Sequence, residues 1–335
     1  MKIIYIAFGL LLFAEFGSCQ QLNSRGDLRI MFYNVENLFD TIDNPLTNDQ
    51  EFLPDGTYRW NNYRYWQKLK KIYQVIAAAG EDSPPEIIGL CEVESYLALY
   101  HLTKNLPLLK YPYTIIHHDS PDERGIDVAL LCRNDKVKVL TYSFLPIKMK
   151  ENNIKKTREI LFATIRAGND TLHVFVNHWP SRRGGEGATE KLRVMAANTL
   201  KHSVDSLLNL NKNAKIVVMG DFNDTPADKS MSILSQSGLI NVAAGVAENC
   251  KCGTLKYQSH WQIFDQVLLS QALTRNNGLR AAKESFYIFR PAFLLVTDNK
   301  FGGTKPYRTY QGPKYLGGFS DHLPILLDLF HGHVN

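Results

Sequence analysis

The sequence predicts a mixed α/β fold, and three observations carry that prediction. Short apolar runs of strand length recur along the chain and stop at polar residues, as in Ile216 to Met219 before Gly220 and Asp221. Such runs bounded by turn chemistry read as buried strands, covered on both faces. Two longer stretches, about 61–79 and 188–210, read as helices. Strands and helices interleave unevenly, which argues a mixed sheet rather than strict βαβ alternation.

Composition sets the outer bounds. The chain has 335 residues, 44% of them hydrophobic and 21% charged, which describes an ordinary globular protein rather than a disordered one. Its net charge of +5 is compatible with phosphate-bearing partners, although net charge bears on association and not on activity. No repeat, low-complexity tract or linker divides the chain, so one domain is expected over residues 28–330.

The N-terminus has the layout of a secretory signal peptide. Lys2 precedes an eleven-residue apolar run, Ile3 to Phe13, and the small residues Gly17-Ser18-Cys19 follow. That run is too short for an ordinary membrane span. Export is therefore expected, with residues 1–19 as the leader. The mature product is then periplasmic, secreted, or lipid-anchored at Cys19, because Phe16-Gly17-Ser18-Cys19 loosely resembles a lipobox. No other segment is long and apolar enough to cross a bilayer. A monomer is expected.

Taken in order, Leu28 to Tyr33 is a strand that ends at Asn34, and 41–60 is a long loop rich in Asp, Asn, Pro and Gly. Trp66, Leu69, Ile72, Tyr73 and Ile76 place one apolar stripe on a helix over 61–79, with Gly80 as its stop. Ile87 to Cys91 is a strand ending in Glu92 and Glu94, and 95–109 is helical. Further strands are expected at Tyr113 to His117, Gly125 to Leu131, Val137 to Leu145, Arg158 to Arg166 and Leu172 to Val176. The last of these ends in Asn177-His178. A loop at 181–185 precedes the helix over 188–210. Gly220 lets the backbone turn sharply and approach something closely after the next strand. A helix starts at Pro226, a favoured first-turn residue. Gln262 to Leu269 is a strand carrying Asp265, Phe286 to Phe289 is another, and 290–319 reads as an ordered loop. Asp321-His322 stand just before the final strand.

Asn34, Glu92, Asn177-His178, Asp221-Asn223, Asp265 and Asp321-His322 thus all sit at strand ends or starts. A buried strand tolerates a carboxylate there only if something neutralises the charge. Any one of these ends is an ordinary turn. Six sets of carboxylate, amide and imidazole are not. Hard oxygen ligands without a cysteine cluster favour Mg²⁺, with Mn²⁺ or Ca²⁺ as substitutes, over zinc. Two histidines beside those oxygens add groups that move protons near neutral pH. The set suits phosphoryl chemistry.

The motifs Tyr-Asn34-Val-Glu-Asn, Leu-Cys-Glu92-Val-Glu, Arg124-Gly-Ile-Asp127-Val-Ala-Leu-Leu, Asn177-His178-Trp-Pro-Ser-Arg, Gly-Asp221-Phe-Asn223-Asp, Phe-Asp265-Gln-Val-Leu and Phe-Ser-Asp321-His322-Leu-Pro, in that order, resemble the endonuclease/exonuclease/phosphatase superfamily. The resemblance implies a four-layered α/β sandwich, two mixed sheets face to face with helices outside, and Mg²⁺-dependent hydrolysis of phosphate esters. It implies Glu92 as principal metal ligand, with Asn34 and Asp321 close to the metal. Asp221 and Asn223 would orient water and phosphate. His322 would contact the scissile phosphate, held by Asp265, and His178 would assist the leaving group. Arg124 would clamp phosphate, and Asp127 would either support His178 or face the core edge. Arg182 and Arg183 would grip substrate or lie on a solvated loop.

Other residues read as scaffold. His117, His118 and His260 are expected on surfaces or loops, and Lys148, Lys150, Lys155 and Lys156 on a solvated face. Trp60, Tyr63, Tyr65 and Trp66 are expected in core packing. Cys91 and Cys132 read as buried hydrophobes. Cys250 and Cys252 form a local redox pair or carry no special role. The function expected is that of an exported nuclease. The alternatives are a phosphomonoesterase, a phospholipid phosphodiesterase, and a catalytically dead binding module.

Overall fold

A computed structural model describes residues 25–147, 157–249, 252–275 and 277–332. The leader with Cys19, the lysines at 148–156 and Cys250 lie outside these residues. Two six-stranded sheets organise the described chain. The first sheet contains β1 (Leu28–Leu38), β2 (Ile87–Val93), β3 (Tyr113–His117) and β4 (Asp127–Arg133). The second contains β5 (Val137–Leu145), β6 (Ile160–Ala167), β7 (Asp170–His178), β8 (Lys215–Asp221), β9 (Ile240–Asn241) and β10 (Asp265–Leu269). The chain then returns to the first with β11 (Leu279–Ile288) and β12 (Ile325–His331). The orders are β11-β12-β1-β2-β4-β3 and β5-β6-β7-β8-β10-β9. Only β1–β2 and β7–β8 are parallel pairs; both sheets are mixed, as expected.

The apolar runs are continuous because these strands are buried twice. In β8, Val217 and Met219 join the core shared with the first sheet, while Ile216 and Val218 join a separate core under two helices. Those helices are α3 (Glu186–Leu210) and α4 (Lys229–Ser235), which contribute Ala196, Ala197, Leu200, Val204, Met231 and Leu234. On the first sheet, α1 (Asn62–Gly80) and α2 (Tyr96–Lys104) add Leu69, Ile72, Ile76, Leu99 and Leu102 to the larger core. The result is helix, sheet, sheet, helix: the expected four-layered sandwich. Trp60 and Tyr65 are core, whereas Tyr63 is 69% exposed.

Gly220 departs from expectation. It lies inside β8, paired with Asn177 of β7, and makes no sharp turn. The close approach is real: a Cβ at Gly220 would sit 2.5 Å from the Asn177 carbonyl oxygen. The turn falls at Asn223, whose φ is +51°. Gly220→Ala is expected to cost about 1–3 kcal/mol, as overpacking does, and to lower the melting temperature.

Three further differences have local causes. The helix expected from Pro226 begins at Lys229, because Asp228 Oδ2 accepts hydrogen bonds from the Thr225 N–H and hydroxyl and holds that segment as a turn. A helix over Val242–Asn249, α5, follows β9 in a stretch where none was expected. Residues 290–319 contain two small hairpins, 295–297 with 304–306 and 310–311 with 314–315, rather than unpaired loop. Cys91 and Cys132 are free and buried, as read, and Cys252 is disulfide-bonded.

Candidate active site

The two parallel pairs end at the same edge of the sandwich, and the polar residues collect there. Asn34 of β1 lies in register with Cys91, one residue before Glu92. In the facing sheet, Asp221 is flanked in register by His178 of β7 and by Asp265 of β10. The two groups meet across the sandwich. Asn34 Nδ2 donates to Asp221 Oδ2 at 3.0 Å and, at 3.4 Å, to Glu92 Oε1. His178 Nε2 lies 3.9 Å from Glu92 Oε1 and 3.8 Å from Asp221 Oδ2, while His322 Nε2 lies 3.8 Å from the same Asp221 oxygen.

Backbone conformation aims several of these groups. Glu36, Asn37, Glu92 and Asn223 all have φ between +51° and +61°, which non-glycine residues seldom adopt and which clusters at functional sites. The Glu92 carboxylate is fixed by the Asn37 N–H on Oε2 at 2.9 Å. Asn223 donates its N–H to Asp221 Oδ1 and its side-chain amide to the Trp179 carbonyl, both at 2.9 Å. Trp179 Nε1 donates in turn to Asn177 Oδ1, so Asn177 shapes the strand end from within.

The two imidazoles carry opposite electrostatics. Burial, reinforced by Arg158, Arg124 and the other imidazole, holds His178 well below the usual histidine range, and it is neutral at pH 7. Burial also opposes the charge on His322, but Asp265 and Asp221 outweigh it and hold that ring well above the range. His322 Nδ1 bonds Asp265 Oδ2 at 2.7 Å, which fixes the ring's tautomer and orientation. Asp221 itself is pushed up to about 7 by burial and the neighbouring Asp265, with His322 opposing. Groups whose environments drive their pKa values apart in this way are how one site runs acid and base chemistry together.

A family model described as Endonuclease/Exonuclease/phosphatase matches residues 29–331. The chain belongs to this family. Family members hydrolyse phosphate esters and use divalent metals. Comparison with curated proteins finds no match. Among solved structures, the fold is similar to D. rerio TDP2 complexed with single-strand DNA product (14% identity, 92% of this chain and 99% of that one, TM-score 0.57). It is also similar to the human Nocturnin catalytic domain with bound sulfate (14%, 91% and 94%, TM-score 0.56). A Bacteroides thetaiotaomicron mannosyl-6-phosphatase is a third (15%, 90% and 99%, TM-score 0.52). At these identities the likeness establishes the fold.

The site of this family member suits a hard divalent cation. Its floor brings the carboxylates of Glu92, Asp221 and Asp265 to one edge: Asn34 Nδ2 reaches both Glu92 and Asp221, and Asp265 pairs in register with Asp221. Two sets of donors also converge within 4.8 Å there: Cys91, His178 and Asp221, and Asp221, Asp265 and His322. Cys91 adds little, because burial pushes its thiol well up and disfavours the thiolate that binds metals. The oxygens of Glu92 and Asp221 remain the natural ligands. Asn34 turns its NH₂ toward both carboxylates, and its Oδ1 accepts the Glu36 N–H at 2.9 Å. Asp321 is 26% exposed and ion-paired to Arg308 at 2.9 Å.

The structure separates the three arginines singled out from sequence. Arg124 and Arg183 are exposed. Arg182 is pinned instead. Its guanidinium reaches Asp224, Asp228 and Glu186 at 3.0, 2.6 and 2.6 Å, donates to the Asn223 carbonyl, and lies over Phe264. It clamps the loop that carries Asn223. Arg182→Ala is expected to lower stability by about 1–3 kcal/mol through the stranded carboxylates, whereas Arg183→Ala leaves the melting temperature unchanged.

Three basic residues at this edge escaped the sequence reading. Arg158 donates to the carbonyls of His178 and Trp179 and pairs with Asp122 at 2.8 Å. Arg308 joins Glu36 to Asp321. Lys68 donates to Thr309 Oγ1 and the Phe319 carbonyl, both at 2.6 Å, and so holds the segment leading to Asp321. Asp127 does not support His178. Its carboxylate accepts the Ser120 N–H and faces His117, whose ring is buried rather than at the surface.

Proposed function

We propose that this chain is an exported, Mg²⁺-dependent phosphodiesterase that cleaves DNA or RNA. The observation that carries the reading is the convergence of two imidazoles on the carboxylate floor, His178 Nε2 3.9 Å from Glu92 Oε1 and His322 Nε2 3.8 Å from Asp221 Oδ2. Cationic His322, oriented by Asp265, would hold a nonbridging oxygen of the phosphate. Asp221, braced by the Asn223 N–H on its Oδ1, would orient the attacking water. Neutral His178 would hydrogen-bond the leaving oxygen. Glu92 and Asp221, with Asp321 at the rim, would hold the divalent ion, whose chemistry is to neutralise phosphate charge.

Exposed Arg124, near enough to act electrostatically on His178, and exposed Arg183, next in sequence to the Arg182 that bonds the Asn223 carbonyl, favour a substrate bearing more than one phosphate, which a nucleic acid supplies. The N-terminal pattern of Lys2, the Ile3 to Phe13 run and Gly17-Ser18-Cys19 supports export. The test is a panel of plasmid DNA, single-stranded DNA, RNA, sphingomyelin, inositol phosphates and sugar phosphates, each with Mg²⁺ and with EDTA. Cleavage of a nucleic acid only with Mg²⁺ is expected. Turnover confined to phosphomonoesters or lipid would replace the nuclease reading with one of its alternatives.

A further inference from the structure

Among the described residues, one cluster of ligating side chains lies outside the set used above. His117 closes β3 and Asp127 opens β4, and these strands are antiparallel neighbours. His117 pairs with Ala129, so Asp127, two residues along, leaves the sheet on the same face. Asp119 follows His117 by two residues. The three side chains each offer one donor atom, and those atoms lie within 4.8 Å of one another.

The imidazole of His117 is the decisive member. Its side chain is 2% exposed, and Nε2 is buried without a hydrogen-bond partner among the described residues. It points at Asp127 Oδ2 across 3.4 Å. A buried polar atom left without a partner is costly, so such atoms call for an explanation such as a bound ion. The spacing fits one. Two ligands each about 2.0–2.1 Å from a tetrahedral ion stand roughly 3.3 Å apart. The other Asp127 oxygen accepts the Ser120 N–H at 3.0 Å, an outer contact of the kind that orients a ligating carboxylate. Asp119 lies 3.8 Å from His117 Nδ1, and at 81% exposure its carboxylate is free to swing toward an ion.

We propose that His117, Asp119 and Asp127 bind a transition-metal dication, Zn²⁺ or Mn²⁺, separate from the ion of the candidate active site. The nitrogen donor sets the class, because an imidazole among carboxylates suits such ions, whereas Mg²⁺ and Ca²⁺ prefer oxygen alone. The cation would tie both ends of the 118–126 loop to the first sheet. That loop carries Arg124 and also Asp122, the partner of Arg158, which in turn holds the His178 carbonyl. The site is therefore placed to stiffen one wall of the active site without touching substrate.

The test is a Co²⁺ titration of the EDTA-treated full chain in excess Mg²⁺, read by visible absorption and calorimetry. Co²⁺ stands in for Zn²⁺, and Mg²⁺ competes at the oxygen-rich site. Wild type and Glu92→Gln should take up the same equivalent at this site. Asp119→Ala and His117→Ala should each weaken that equivalent at least tenfold. Asp119 is exposed, so its variant folds even if His117→Ala does not. Uptake by Asp119→Ala equal to wild type, or no uptake by wild type, would overturn the proposal. Because Glu92→Gln is carried in parallel, failure of the active-site reading and failure of this one give different results.

Discussion

Glu92→Gln is expected to lower kcat/KM for a phosphodiester by about 10³-fold while leaving the fold intact. The substitution keeps the shape and leaves an oxygen to accept the Asn37 N–H now received by Glu92 Oε2. What it removes is one negative charge, at the point where Asn34, His178 and Asp221 converge. Electrostatic stabilisation of a phosphoryl transfer by a bound cation is worth several kcal/mol, and each 1.36 kcal/mol is a factor of ten in rate. Stability should not fall, because one carboxylate fewer relieves repulsion in the site floor. Kinetics with a melting curve on the same sample check both halves. A melting temperature lowered in step with activity would mean that Glu92 is scaffold.

The second large effect concerns Asp265, which is fully buried and bonded to His322 at 2.7 Å. Asp265→Asn is expected to cost about 10²–10⁴-fold in kcat, the range typical of a lost or misoriented acid–base group. The asparagine cannot hold the imidazolium by charge, and it can offer the ring an N–H where an acceptor is needed. The pH dependence gives the sign. His322 is held above the usual range against its burial by Asp265 and Asp221, so the protonated ring is present at neutral pH and is lost as pH rises through that elevated value. Removing the Asp265 charge lowers the value. The alkaline limb of the pH–rate profile should therefore move to lower pH in the variant. An unmoved limb would exclude His322 as the titrating cation.

Much of this site was legible in the sequence because sheet topology makes it so. Strands buried on both faces read as unbroken apolar runs, and the polar residues that end them must lie at the sandwich edge. Asn34, Glu92, His178, Asp221, Asp265 and His322 follow from that rule. The residues that brace them do not. Glu36 and Arg308 are 272 positions apart, and nothing local to either announces the pair. Lys68 belongs to a helix whose period assigns it no partner, and Arg158 lies beside a basic stretch that reads as solvated. Arg182 and Arg183 are neighbours of identical type, yet one is a structural clamp and the other faces solvent. Their difference is set by Asp224, Asp228 and Glu186, which only the folded loop brings together. His117 was passed over for the same reason, since its burial depends on the register of β3 with β4.

The account rests on a carboxylate-rich floor that requires a divalent cation to act on a phosphodiester. The most direct measurement is hydrolysis of bis(p-nitrophenyl) phosphate by EDTA-treated protein, before and after addition of Mg²⁺, for wild type and Glu92→Gln. Hydrolysis that appears only with Mg²⁺, and only in wild type, is the predicted result. Equal rates with and without the cation, or equal rates in the two proteins, would contradict it.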